Sequence, residues 1–139
     1  MYTLVQKNVG LIKQLIKINL LKQHIWDGDH LSASEQEARI RKCQDESKQM
    51  IAHCSLDDLK VIYTLSSIGS HERGSREYLY ERAAPEIIEL EIEESPEELL
   101  AKHSRYIKFY SREELEFYIL GYTLLALTLQ EGLKILKIK

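Results

Sequence analysis

Cysteine is scarce in this chain, which has two cysteines among its 139 residues. Cys43 and Cys54 lie eleven positions apart. On one helix this spacing places them on the same face but roughly 16 Å apart, whereas a disulfide needs Cα atoms within about 7 Å of each other. We therefore expect two reduced thiols in the core, which suits a cytoplasmic protein.

Two other features are missing, a long apolar run and an excess of basic residues. The most apolar stretch, residues 117–129, is shorter than the roughly 18 to 20 residues that a membrane-spanning helix needs. Lysines interrupt the apolar residues near the N-terminus, so we expect no signal peptide. The net charge of −3 argues against a dedicated nucleic-acid binder. We expect a single domain over residues 1–139, with neither nucleic acid nor a membrane as its partner.

A helix-start signature is abundant instead, and no strand-like alternation of apolar and polar residues accompanies it. The signature is a serine whose hydroxyl can accept an amide proton, followed three residues later by an acid. It recurs at Ser32, Ser34, Ser55, Ser95 and Ser111. The pattern predicts an all-α, compact bundle of about six helices, at residues 4–25, 34–53, 56–68, 75–91, 96–109 and 112–137.

Several details of this bundle follow from single residues. Pro85 should kink or split the fourth helix, because proline removes one hydrogen bond of the helix. Residues 117–129 should form a buried central helix, and Trp26 should fill the core at the end of the first helix. Short polar turns should join the helices, so that neighbours in the chain pack antiparallel.

The first candidate binding site is the predicted loop over residues 69–76, where two glycines bracket a compact set of donors. His71, Arg73 and Arg76 could bind a phosphate or a carboxylate there, helped by backbone amides at the start of the next helix. The spacing differs from that of a P-loop or a dinucleotide-binding fingerprint. An ordinary solvated turn between helices is the alternative.

A second candidate, a metal site in the turn after the first helix, fails on spacing. Asp27, Asp29 and His30 could bind a divalent cation together, but they meet no established zinc or calcium pattern. Asp-Gly-Asp is also an ordinary turn in which side-chain oxygens cap backbone amides. We predict no metal and no cofactor.

Cysteine catalysis fails for a similar reason. His53 and Cys54 are consecutive, and consecutive helical residues diverge by about 100°, so they cannot pair as base and nucleophile. A catalytic cysteine would need His71 or His103 brought to it by the fold, and no pattern selects either one. We predict no catalytic residue.

Three short motifs follow one another near the C-terminus. They are Tyr-Ile-Leu-Gly at residues 118–121, Thr-Leu-Leu at 123–125 and Leu-Gln-Glu-Gly-Leu at 129–133. The series resembles the Tyr-Leu-Leu-Gly, Pro-Leu-Leu and Leu-Glu-Glu-Gly-Leu series of a family of short bacterial proteins known only as a domain of unknown function. Thr123 stands where that family usually has proline. The resemblance implies a helical fold and no known activity, so it assigns no functional residue.

Gly121 and Gly132 belong to these motifs and lie inside the last predicted helix. Glycine inside a helix costs about 1 kcal/mol relative to alanine and usually marks a close approach of another backbone. We expect both glycines to contact a neighbouring helix.

Opposite charges are segregated along the chain. Residues 1–26 hold four lysines and no acid, whereas residues 86–98 hold seven glutamates and no base. Either these segments lie near each other in the fold or one of them faces a partner. The eight tyrosines leave a similar choice, because tyrosine both edges protein cores and is enriched at interfaces.

The function predicted from these features is that of a non-enzymatic protein-interaction module, such as an inhibitor, an immunity protein or a regulatory factor, or of a self-associating helical protein. The first and last predicted helices are both apolar on more than one side, and only one of them can be central in a small bundle. The other should leave apolar area at the surface, which a homodimer would cover. The alternative is a ligand-binding or metal-binding domain, or an enzyme, that uses residues 69–76 or 27–30.

Overall fold

A computed structural model gives the backbone of residues 1–28, 31–82 and 94–138, and the side chains of all of these except 73–82. Pro85, most of the acidic residues 86–98, and Asp29 and His30 lie outside the described residues.

The described part of the chain forms seven α-helices and one 3-10 helix, and it contains no strand. The all-α prediction is confirmed. The elements are α1 (Tyr2–Lys7), α2 (Val9–Asp27), α3 (Ala33–Ala52), α4 (Leu56–Arg82), α5 (Pro96–His103), the 3-10 helix (Ile107–Phe109), α6 (Arg112–Gly121) and α7 (Leu125–Ile135).

Four of the five predicted helix starts are confirmed. The hydroxyls of Ser32, Ser95 and Ser111 each accept a hydrogen bond of 3.2 Å from the amide three residues later. At the fourth start, the Ser55 hydroxyl accepts from the Asp58 amide at 3.1 Å while the Asp58 carboxylate accepts from the Ser55 amide at 3.0 Å. Ser34 instead lies inside α3.

One long helix, α4, runs through the third predicted helix, the predicted loop after it and residues 75–82 of the fourth predicted helix. The predicted loop over residues 69–76 is therefore wrong, because α4 continues through it. Gly69 gives the reason: a Cβ at this position would lie 2.7 Å from the carbonyl carbon of Thr128 and 2.9 Å from the amide nitrogen of Gly132. This glycine serves a close crossing of α4 and α7 rather than a turn.

Two predictions concern glycines near the C-terminus, Gly132 at this crossing and Gly121 outside it. A Cβ at Gly132 would lie 2.9 Å from the Leu65 side chain, so the close contact expected there is confirmed. Gly121 is exposed at the end of α6, and its Cβ would meet no atom within 4 Å. The prediction for Gly121 is wrong.

Three other predicted helices are divided in the structure: residues 96–109 form α5 and the 3-10 helix, and the first and last predicted helices are each broken once. The first is interrupted at Asn8, whose side-chain amide donates to the Leu4 carbonyl at 2.8 Å and to the Asp58 carboxylate at 3.0 Å. The last is interrupted after Gly121, where Tyr122 has extended backbone angles of φ −80° and ψ 113°. This second break changes the chain direction and lets both α6 and α7 pack on α4.

Helix α4 is the centre of the bundle, since α1, α5, α6 and α7 all pack on it. Its Leu59, Ile62, Leu65 and Ile68 side chains are fully buried. The prediction of a buried central helix at residues 117–129 is wrong, because Phe117 is 82% exposed and the segment is broken. The prediction that Trp26 fills the core is also wrong, since it is 70% exposed.

The cysteine predictions are confirmed. Cys43 and Cys54 are both buried and unbridged. Burial raises the pKa of both thiols, which keeps them protonated and unreactive near neutral pH. Among the helices described, none has the length and apolar character needed to cross a membrane.

Candidate functional site

The three predicted binding residues all belong to α4. His71 is exposed, and its Nδ1 atom lies 2.9 Å from the Ser67 carbonyl oxygen one turn earlier. Arg73 and Arg76 follow in the same helix, and their side chains are not among those described. Because the surrounding amides lie inside a helix, they donate to carbonyls four residues earlier rather than to a ligand. The predicted cradle of free backbone amides is therefore wrong, and anion binding by the three side chains stays a prediction.

His71 lies beside three hydrogen-bonded side chains, those of Ser67, His103 and Glu72, that join α4 to α5. We call these three side chains the relay. The Nε2 atom of His103 is 2.9 Å from the Glu72 carboxylate, and its Nδ1 atom is 3.1 Å from the Ser67 hydroxyl. In the neutral tautomer that donates from Nε2 to Glu72, Nδ1 accepts the hydroxyl proton of Ser67. The His71 ring packs 5.8 Å from the His103 ring, centroid to centroid.

The Glu72 carboxylate is the charged end of this relay. It is 14% exposed, and Lys102 donates to it at 3.3 Å from the more exposed side. Burial alone would raise the pKa of the Glu72 carboxyl, but hydrogen bonds from His103 and Lys102 outweigh that effect and hold the pKa below its usual value. The carboxylate is therefore ionised and held by two partners from α5.

The order carboxylate, imidazole, hydroxyl is also found in nucleophilic hydrolases. Such an enzyme needs amide or side-chain donors beside the reacting carbonyl to stabilise an oxyanion. Ser67 lies well inside α4, so the amides next to it are used within the helix. The geometry supports a structural role for the relay, which fixes the position of α5 on α4.

A cavity of about 590 Å³ opens beside the relay. We call it the basic cavity, because its charged residues outside the relay are Lys102 and Arg105. Much of its remaining wall is aromatic and comes from α4 and from the segment around the 3-10 helix, where Ile107 also lines it. The aromatic residues that line it are Tyr63, Tyr106 and Tyr110.

A second cavity, of about 440 Å³, lies on the other side of Tyr63 and Tyr110, which line both cavities. We call it the acidic cavity, because its charged residues are Glu113 and Glu114. Phe117 lines it as well and projects into solvent with 82% of its area exposed. Two cavities of opposite charge therefore flank one aromatic ridge.

Tyrosine rings packed against one another build this ridge. The ring of Tyr63 lies 5.4 Å from that of Tyr110 and 4.6 Å from that of Tyr118, and Tyr122 stacks on Tyr118 at 5.1 Å. Burial raises the pKa of Tyr63 to about 12, and its hydrogen bond to Tyr110 adds to the effect. The Tyr118 hydroxyl is 3.1 Å from that of Ser66, which in turn is 2.8 Å from that of Thr128. The ridge is thus tied to the buried crossing of α4 and α7.

Large aromatic side chains next to the ridge are exposed. Tyr106 is 65% exposed and Phe109 is 71% exposed, both in or beside the 3-10 helix, and Lys108 lies 5.2 Å above the Phe109 ring. We call the surface formed by Tyr63, Tyr106, Tyr110, Phe117 and Tyr118, which line the two cavities, together with Phe109, which directly precedes Tyr110 in the chain, the aromatic face. An exposed aromatic surface of this kind on a small helical protein is typical of a protein-binding site.

The chain matches no protein-family model, no curated protein and no solved structure. The resemblance to the bacterial family stays a prediction. Interpretation of the site therefore depends on its own geometry.

Metal binding finds no support within the described residues. No group of three or more histidine, cysteine, aspartate and glutamate side chains able to hold a metal ion occurs there. The predicted turn contributes only Asp27, because Asp29 and His30 lie outside the part that the structure describes.

Sequence reasoning missed both the relay and the shape of the aromatic face. Glu72 and His103 are 31 positions apart, and only the packing of α5 on α4 brings them together. The sequence does contain a signal for the aromatic face, because aromatic residues occur three times within residues 106–110 and twice at 117–118. That signal was hidden by the prediction that residues 117–129 are buried.

Proposed function

We propose that this chain is a non-enzymatic protein-binding module that contacts its partner through the aromatic face. The observation that carries the proposal is the exposure of Tyr106, Phe109 and Phe117, each more than 60% exposed, around one rigid ridge. Aromatic side chains are the most frequent energetic anchors of protein interfaces, because they bury a large area at a low cost in side-chain entropy. An inhibitor, an immunity protein or a regulatory factor would use such a surface.

The rigidity of the ridge supports this proposal. Three tyrosine contacts and two hydroxyl hydrogen bonds, one of them buried, hold the ridge on α4 and α7 before any partner arrives. A preorganised surface loses little conformational freedom on binding, so more of the contact energy appears as affinity. The proposed setting is the cytoplasm, where two reduced cysteines are stable.

Part of the exposed apolar area lies where the sequence predicted it, on the first and last predicted helices. Helix α7 buries Leu125, Leu129 and Leu133 in the core, whereas Phe117 on α6, the other half of the last predicted helix, is exposed. On the first predicted helix, Leu20, Leu21 and Trp26 of α2 are exposed, and further exposed area comes from the segment around the 3-10 helix. We expect the partner, whether another protein or a second copy, at α6 and the 3-10 helix, because side chains from these two elements line the two cavities beside the tyrosine ridge.

Site-specific photocrosslinking in the native cell tests this proposal. The photoreactive residue p-benzoylphenylalanine replaces Phe117 in one variant and Trp26 in a control, an equally aromatic position that is 70% exposed and lines neither cavity. We expect a discrete protein adduct from position 117 and none of comparable yield from position 26. Adducts of equal yield from both positions, or none from position 117, would exclude the aromatic face as the binding surface.

A further inference from the structure

The charges around the aromatic face indicate which partner fits it best. This inference rests on the proposed function above. The basic cavity carries Arg105 and the acidic cavity carries Glu113, on opposite sides of the ridge that Tyr63 and Tyr110 form. Both charged residues are exposed, and neither forms an ion pair with another residue that the structure describes. The face thus has a positive end, an aromatic centre and a negative end.

A surface with this layout is complementary to itself. In a two-fold pairing the same patch is used by both copies, so a residue at one end meets the residue at the other end of its partner. Rotation about an axis through the ridge brings the positive end of each copy onto the negative end of the other. Opposite potentials then meet at both ends, and the tyrosines of the two ridges meet at the centre.

The shapes of the two ends agree with this pairing. Phe117 projects from the acidic end, and the two-fold rotation places it over the basic cavity of the other copy. That cavity has a volume of about 590 Å³ and an aromatic wall that includes Tyr106. A phenylalanine ring entering it would contact tyrosine rings and lie close to the cationic groups of Lys102 and Arg105, which favours binding through aromatic and cation–π contacts.

We propose that the aromatic face binds a second copy of this chain in a two-fold dimer, with Phe117 of each copy in the basic cavity of the other and Arg105 opposite Glu113. Each contact occurs twice in such a dimer. A single charge reversal therefore creates two like-charge pairs, and a single truncation of Phe117 removes two anchors.

Charge reversal and sedimentation equilibrium test the dimer. Wild-type protein is expected to reach twice the chain mass of 16.3 kDa within the micromolar range. Arg105→Glu and Glu113→Lys should each weaken self-association at least tenfold, and an equimolar mixture of the two variants should form a heterodimer with wild-type affinity or better. Glu113 is preferred to Glu114 for this purpose, because Glu114 closes the capping box of α6. Lys134→Glu, an exposed charge reversal on α7, is the matched control and should leave association unchanged.

Two results would overturn the dimer. One is a wild-type mass that stays at 16.3 kDa at every concentration, and the other is a mixture that associates no better than either variant alone. If a charge variant fails to fold, Phe117→Ser decides the question, since it should also weaken wild-type association at least tenfold. If the chain is monomeric and position 117 crosslinks to a different protein, the dimer is refuted and the proposed function stands. If the chain neither self-associates nor crosslinks from position 117, the dimer and the proposed function are both refuted.

Discussion

Replacing Gly69 by leucine should destabilise the fold by more than about 3 kcal/mol, or prevent folding. Overpacking a core usually costs about 1–3 kcal/mol, because neighbouring side chains can shift. At Gly69 the obstacles are backbone atoms of Thr128 and Gly132 on α7, which cannot move without separating the two helices. Urea unfolding followed by circular dichroism measures the loss.

Alanine substitutions distinguish the steric clash at this crossing from the effect of helix propensity. Gly69→Ala should destabilise even though alanine favours helix by about 1 kcal/mol over glycine, because its Cβ still meets the Thr128 carbonyl group. Gly121→Ala is the matched control, since a Cβ there meets nothing within 4 Å, and it should be neutral or slightly stabilising. A stabilising Gly69→Ala would show that α4 and α7 do not cross closely at this glycine.

Replacing His103 by leucine should cost about 2–3 kcal/mol of stability, the range for a hydrogen bond to a charged group whose partner stays largely buried. The change leaves the 14% exposed Glu72 carboxylate with Lys102 as its remaining partner. Lys102→Met is the matched control, because it removes the other, 56% exposed partner of the same carboxylate. Exposed ion pairs contribute about 0–1 kcal/mol, so equal losses from the two substitutions would contradict the relay.

The relay should also leave a signature in the pH dependence of stability. The pKa of Glu72 is lower in the fold than its ordinary value, so the unfolded chain binds more protons at this site in the acid range. The stability provided by Glu72 is then complete above its ordinary pKa of about 4.3 and is lost as the pH falls through the lower, folded-state pKa. The stability difference between wild type and Glu72→Gln should therefore shrink as the pH falls below about 4.3.

The sequence was sufficient to predict the helices that begin at local signals. A serine cap and its acid lie within four residues, so they act before the rest of the chain is in place. Ser32, Ser55, Ser95 and Ser111 were recognised for this reason. Cys43 and Cys54 were also placed correctly, because an unbridged cysteine is among the residue types most often buried.

Errors occurred where a distant contact decides the local structure. Gly69 reads as a turn residue from its neighbours, but its role comes from Thr128 and Gly132 some sixty positions away. Gly121 reads as a packing residue for the same local reason and is exposed. In both cases glycine permits another helix to approach closely, but the fold determines whether a helix is there.

The candidate site was predictable only in part. Tyrosine enrichment pointed to an interface, and His71 lies at the basic cavity. The relay and the opposite charges of the two cavities depend on how α5, α6 and the 3-10 helix pack on α4, and no local pattern encodes that arrangement. Phe117 was assigned to the core, because an apolar run does not show which of its residues face solvent, and Phe117 is exposed while Ile119 of the same helix is buried.

We propose that the three exposed rings of the aromatic face, Tyr106, Phe109 and Phe117, serve binding and contribute little to the stability of the fold. The most direct measurement is the free energy of unfolding of the triple variant Tyr106→Ser, Phe109→Ser and Phe117→Ser, determined with urea at a protein concentration below that of self-association. These side chains are 65%, 71% and 82% exposed, and surface substitutions usually change stability by about 0.5 kcal/mol or less each. We predict a stability within about 1.5 kcal/mol of wild type. A loss of about 4 kcal/mol or more would place the three rings in the core and contradict the account.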